Sequence, residues 1–65
     1  MRDPDRIDRI LDQLRITWKR VPDWRLGQLV VNVTERPDPF YVEDDVFEKM
    51  LLALDGALRT RKNES

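Results

Sequence analysis

The chain contains no cysteine and no histidine. Without cysteine, no disulfide can staple the fold, and no thiolate is available to ligate zinc or attack a substrate. Without histidine, the commonest metal ligand and the usual general base are missing. Long apolar runs are missing too, since nothing approaches the roughly 18 residues of a membrane span. Met1-Arg2-Asp3-Pro4-Asp5 offers no apolar core for a signal peptide, so the expected location is cytoplasmic. An excess of one charge is also lacking. Twelve Lys and Arg face thirteen Asp and Glu, which is short of the basic surplus that phosphate binding requires, so no direct contact with nucleic acid is expected.

What remains is a chain of 65 residues that is 40% apolar and 38% charged. Such a composition fits a folded, helix-rich mini-domain rather than a disordered segment. At this size one core barely offsets the entropy of the chain. Stability must come from packing, from self-association or from a partner.

Hydrophobic spacing predicts three helices. Asp3 and Pro4 form a helix start, with proline where its missing N–H is no loss. Ile7, Ile10, Leu11, Leu14, Trp18 and Val21 then recur on one face, and Pro22 stops the helix near Arg20. The opposite face mixes Asp5, Asp8 and Asp12 with Arg9, Arg15 and Lys19, and it also carries Ile16 without a core assignment. Asp23 can cap a second helix over about 24–34, in which Leu26, Leu29, Val30 and Val33 share a face. A strand over Leu29–Val33, paired in a hairpin with Phe40-Tyr41-Val42, is the competing reading, because β-branched residues are frequent there. Pro37 and Pro39 predict a loop, after which Phe40-Tyr41-Val42 is expected to lie extended and tuck its aromatics under the third helix.

The third helix is predicted over about 45–58, capped by Glu43 or Asp44. Val46, Phe47, Met50, Leu51, Leu54 and Leu58 fall within an arc of roughly 140° on a 3.6-residue wheel. Residues 59–65 read as a flexible polar tail to a single helical domain over 1–58. The fold class that follows is all-α, a small three-helix bundle with a short extended aromatic segment before the last helix. Leu14, Trp18, Leu29, Val30, Phe47, Leu51 and Leu54 are expected to be nearly fully buried.

Chemistry is sparse. The lone serine is Ser65, and Thr17, Thr34 and Thr60 have no base motif beside them, so no enzyme activity is expected. Glu43-Asp44-Asp45 suits a solvated first helical turn, where acids are favourable to the helix dipole. It lacks the alternating ligand spacing of a calcium loop, and no metal or cofactor is expected. Asn32-Val33-Thr34 matches a glycosylation sequon, but Val33 is a core candidate. Trp18 and Trp24 flank the first turn and read as packing residues rather than as a stacking platform. A helix-turn-helix DNA reader would have only Arg25, Gln28 and Asn32 to offer from its second helix.

One surface stands out. The far side of the third helix holds Asp44, Asp45, Glu48 and Asp55, with Glu43 before them and Leu52 stranded among them. A solvated helix face is the bland explanation. The sharper one is a partner-binding surface that includes Glu43 and Asp44, in which Leu52 is a contact residue ringed by Asp45, Glu48 and Asp55 and aimed at a basic surface on another protein. A homodimer through Ile16 or Leu52 is the alternative, so the chain is expected to be a monomer or a homodimer.

Three blocks occur in order: Met1-Arg2-Asp3-Pro4-Asp5-Arg6-Ile7; then Pro22-Asp23-Trp24-Arg25-Leu26-Gly27-Gln28-Leu29 with Asn32; then Phe40-Tyr41-Val42-Glu43-Asp44-Asp45. Over residues 1–55 the chain resembles a family of small uncharacterised bacterial and prophage proteins with these Arg-Asp-Pro, Leu-Gly-Gln-Leu and Tyr-Val-Glu-Asp-Asp blocks. That resemblance implies a compact domain and carries over no catalytic residue. In size and surface character the chain is also similar to the anti-CRISPR inhibitors that phages and mobile elements direct against CRISPR–Cas surveillance complexes. The expected function is a non-enzymatic protein-binding inhibitor whose acidic face blocks a basic, nucleic-acid-binding surface. The alternative is a housekeeping bacterial interaction module.

Overall fold

The computed structural model describes residues 3–63, and three helices make up its regular structure: α1 (Asp5–Arg20), α2 (Leu26–Thr34) and α3 (Asp44–Asn63). No strand occurs among the described residues, which gives the expected all-α class and removes the hairpin alternative. Met1 and Arg2 of the first sequence block, and Glu64 and Ser65 of the expected tail, lie outside the described residues.

Local chemistry sets most boundaries. The Asp3 carboxylate accepts the backbone N–H of Asp5 at 2.9 Å, so one of the helix's orphan donors is satisfied. At the other end Pro22 excludes the α conformation from Val21, which takes φ −132°, ψ 63°. The Trp18 indole N–H then donates to the Trp24 carbonyl at 2.7 Å and latches the turn onto α1. Asp23 does not cap α2. The helix starts after Arg25, which is extended and supplies no side-chain cap. Trp24 belongs to the turn.

α2 ends at Glu35 in the left-handed conformation, φ 56°, where its N–H reaches the Val31 carbonyl at 2.7 Å. Pro37 and Pro39 then keep the chain out of helix until Asp44. α3 runs five residues past the expected end at Leu58. Residues 59–63 contain no glycine or proline, and basic residues suit a helix C-terminus, so no stop signal interrupts the helix there.

α3 is the spine: α1 and α2 each pack on it more extensively than on one another. The molecule measures 44 × 25 × 16 Å. Three helices, two of which touch one another little, enclose a small core. Leu29, Val33 and Leu51 are the buried apolar core, with Leu14, Trp18, Val21, Trp24, Phe47, Met50 and Leu54 half-buried around them. Of the seven residues expected to be nearly fully buried, Leu29 and Leu51 reach that state. Leu14, Trp18, Val30, Phe47 and Leu54 retain partial exposure because α1 and α2 pack on α3 but cover one another little.

The aromatic segment departs furthest from expectation. Phe40 and Tyr41 do not tuck beneath α3. They are 79% and 83% exposed, packed edge to face against each other with ring centroids 4.9 Å apart.

Candidate protein-binding surface

α1 carries a row of polar side chains, Arg6, Arg9, Gln13, Thr17 and Arg20, at spacings of three and four. Residues so spaced share a helix face. α3 carries Asp44, Glu48, Leu51 and Asp55 in the same way. Packing brings these rows together. Arg6 Nε lies 2.7 Å from an Asp44 oxygen and also donates through Nη1 to the Asp3 carbonyl at 3.0 Å. Arg9 grips Glu48 with both ends of its fork, at 2.6 and 3.0 Å. Arg20 Nε donates to Asp55 Oδ1 at 2.7 Å. Partner numbers rise together along both helices, so α1 and α3 are parallel.

The deepest part of this seam surrounds Thr17, which is fully buried, and Asp55, which is 7% exposed. Gln13 Nε2 donates to the Thr17 hydroxyl at 3.0 Å, and that hydroxyl donates onward to Asp55 Oδ1 at 3.2 Å. Asp55 Oδ1 therefore accepts from both Thr17 and Arg20. Among the described residues no buried side-chain polar atom lacks a partner, so burying this carboxylate carries no unsatisfied-group penalty. Nearer the surface, the hydrogen bond from Arg9, aided by its charge, holds the Glu48 carboxyl below the usual carboxylate range against the opposing effect of burial. The same contact raises Arg9.

These contacts redistribute the six candidate residues. Asp55, expected beside Leu52 on a solvent-facing ridge, is turned into the α1–α3 seam. Asp44 and Glu48 meet arginines of α1 and are charge-compensated. Their azimuth is that of α1 because residues 44, 48 and 55 are spaced by four and seven and stay on one face of α3. Glu43 and Asp45 are exposed, and Leu52 is half-exposed. Glu48 and Asp55 remain beside Leu52 on α3, at i−4 and i+3, but both are engaged by side chains of α1.

Phe40 and Tyr41 are the surface residues missed as such. The turn that presents them is braced: the Phe40 N–H donates to the Asp38 carboxylate at 3.2 Å, and the Val42 N–H donates to the Pro39 carbonyl at 3.0 Å. Pro37 and Pro39 flank that bracing with fixed φ. With Val42, Glu43 and Asp44, the two rings line a shallow cleft of about 300 Å³. The available signal was this pair of prolines, which prevents five residues from folding back onto the helix they precede.

Among the described residues no group of three or more metal-ligating side chains comes together, and no helix is long and apolar enough to cross a membrane. Comparison with known protein families, curated proteins and solved structures returned no match to this chain.

Proposed function

We propose that the protein is a non-enzymatic binding protein that engages another protein through the Phe40–Tyr41 tip, with Glu43 and Asp45 beside it. The observation carrying this reading is two adjacent aromatic rings about four-fifths exposed on a turn braced by two prolines. Large aromatics supply most of the energy at protein interfaces. A rigid turn limits the ordering cost of binding. The fitting partner has an apolar pocket for the rings, rimmed by Lys or Arg facing Glu43 and Asp45.

The narrower reading is an inhibitor covering the basic nucleic-acid-binding surface of a CRISPR–Cas surveillance complex. It draws on the same two carboxylates, and the pairing of Asp44, Glu48 and Asp55 with arginines withdraws much of the charge it was built on. Binding led by the aromatic tip is accordingly the primary proposal.

Quantitative affinity capture from bacterial lysate tests it with three baits: wild type, Phe40→Ala with Tyr41→Ala, and Leu52→Ala. A protein retained by wild type and by Leu52→Ala but lost by the tip variant supports the reading. Loss with Leu52→Ala alone moves the site to the exposed stripe of α3. Recovery of no specific protein with any bait overturns the proposal.

A further inference from the structure

The apolar stripe of α1 is wider than the core that receives it. Ile7 and Leu11 remain 49% and 54% exposed. With Leu14 and Trp18 they are spaced 4, 3 and 4, the interval of a coiled-coil seam. Beside them lies an apolar groove of about 510 Å³ lined by Leu11, Leu14, Trp18 and Pro22, with Arg15 and Lys19 on its rim.

The rim charges identify what fits. Asp8 and Asp12 flank the N-terminal half of the strip, whereas Arg15 and Lys19 flank the C-terminal half. A copy of the same helix laid antiparallel places Ile7 against Trp18 and Leu11 against Leu14 of the other chain. The acidic half of one rim then faces the basic half of the other. A parallel two-fold copy would leave the two charged rims on opposite sides of the seam, where they cannot meet. An isologous interface requires this self-complementarity.

We infer that the α1 strip is a self-association surface on which a second copy of this chain docks antiparallel about a two-fold axis. Ile7, Leu11, Leu14 and Trp18 form its apolar centre. A seam of three helical turns is a small interface, and interfaces below about 1,200 Å² form weak or transient complexes, so the dimer is populated in the micromolar range and above. The Phe40–Tyr41 tip contributes no residue to it, and the inference does not depend on the proposed function.

Sedimentation equilibrium over a wide concentration range tests the dimer. Wild type should pass from monomer to dimer, and its melting temperature should rise with concentration, because a partner that binds only the folded state stabilises it. Leu11→Glu should weaken dimerisation by about tenfold or more, since it replaces a buried apolar contact with a charge. Ile7→Lys tests the same strip should the first variant fail to fold, as judged by circular dichroism. Asp8→Lys with Asp12→Lys should weaken dimerisation by about three- to tenfold. Adding Arg15→Glu and Lys19→Glu to that variant should restore it. A wild-type chain that stays monomeric into the millimolar range overturns the inference and assigns the strip to a different occupant. Variants of Leu11 and Ile7 that fold and dimerise like wild type overturn the interface. A double Asp→Lys variant indistinguishable from wild type overturns the antiparallel arrangement.

Discussion

Replacing Asp55 with alanine removes the acceptor shared by Thr17 and Arg20 in the α1–α3 seam. A hydrogen bond to a charged group contributes about 1.5–3 kcal/mol, and a neutral one about 1 kcal/mol. Arg20 is 27% exposed, so part of its loss is recovered from water. Thr17 is fully buried and has no such recourse. Alanine also favours helix over aspartate by about 0.5 kcal/mol. The net cost is about 2–3 kcal/mol, out of a total near 3–10 kcal/mol for a domain of this length. At about 4–8 °C per kcal/mol, the melting temperature should fall by roughly 10–20 °C. Urea denaturation at low protein concentration, followed by circular dichroism, measures the change directly. Thr17→Val should cost about 1 kcal/mol, and its effect should be non-additive with Asp55→Ala because the two share a bond. Leu52→Ala, a residue away from the seam, should cost well under 1 kcal/mol. An Asp55→Ala variant within about 0.5 kcal/mol of wild type, the range of ordinary surface changes, would refute the assignment of Asp55 to the interior.

Acid should weaken the seam. The Glu48 carboxyl is held low by Arg9, so its contribution is complete above the unfolded carboxylate value of about 4.3 and disappears as pH falls through the lower folded value. Wild type should therefore lose its stability advantage over Arg9→Gln as solutions are acidified below about pH 4.3, and parallel stability curves would count against the pair. Glu35 holds a left-handed conformation at the end of α2 that costs a non-glycine residue roughly 1 kcal/mol. Glu35→Gly should accordingly stabilise the protein by up to about 1 kcal/mol, and a destabilised variant in the same denaturant series would show that the side chain contributes more than its strain removes.

The three helices were legible because their apolar spacing, Pro22 and the Pro37–Pro39 pair act locally. Pro22 marked the end of α1 to the residue. The burial pattern was less legible, since it depends on which way each helix turns its second-best face. On α3 the acids at 44, 48 and 55 read as a solvated stripe when that helix is considered alone. They become structural once set against Arg6, Arg9 and Arg20, whose matching spacing lies about 35 to 39 residues earlier in the chain. Reading α1 and α3 as a pair of complementary ladders would have found the seam. Phe40 and Tyr41 were assigned inward on the general tendency of aromatics to be buried. The prolines on either side of Asp38 decided otherwise, because they fix the direction of the chain before any packing energy is available.

The indole latch between Trp18 and the Trp24 carbonyl has an optical consequence. The chain has two tryptophans, and both sit where α1 turns toward α2, half-buried against the small core. Their emission therefore reports the seating of α1, whereas far-ultraviolet ellipticity reports the helices of the whole molecule. An α1 that swings away from the spine while remaining helical would shift the fluorescence to the red and leave the ellipticity almost unchanged. The protein thus carries an intrinsic probe that distinguishes undocking of one helix from melting of all three.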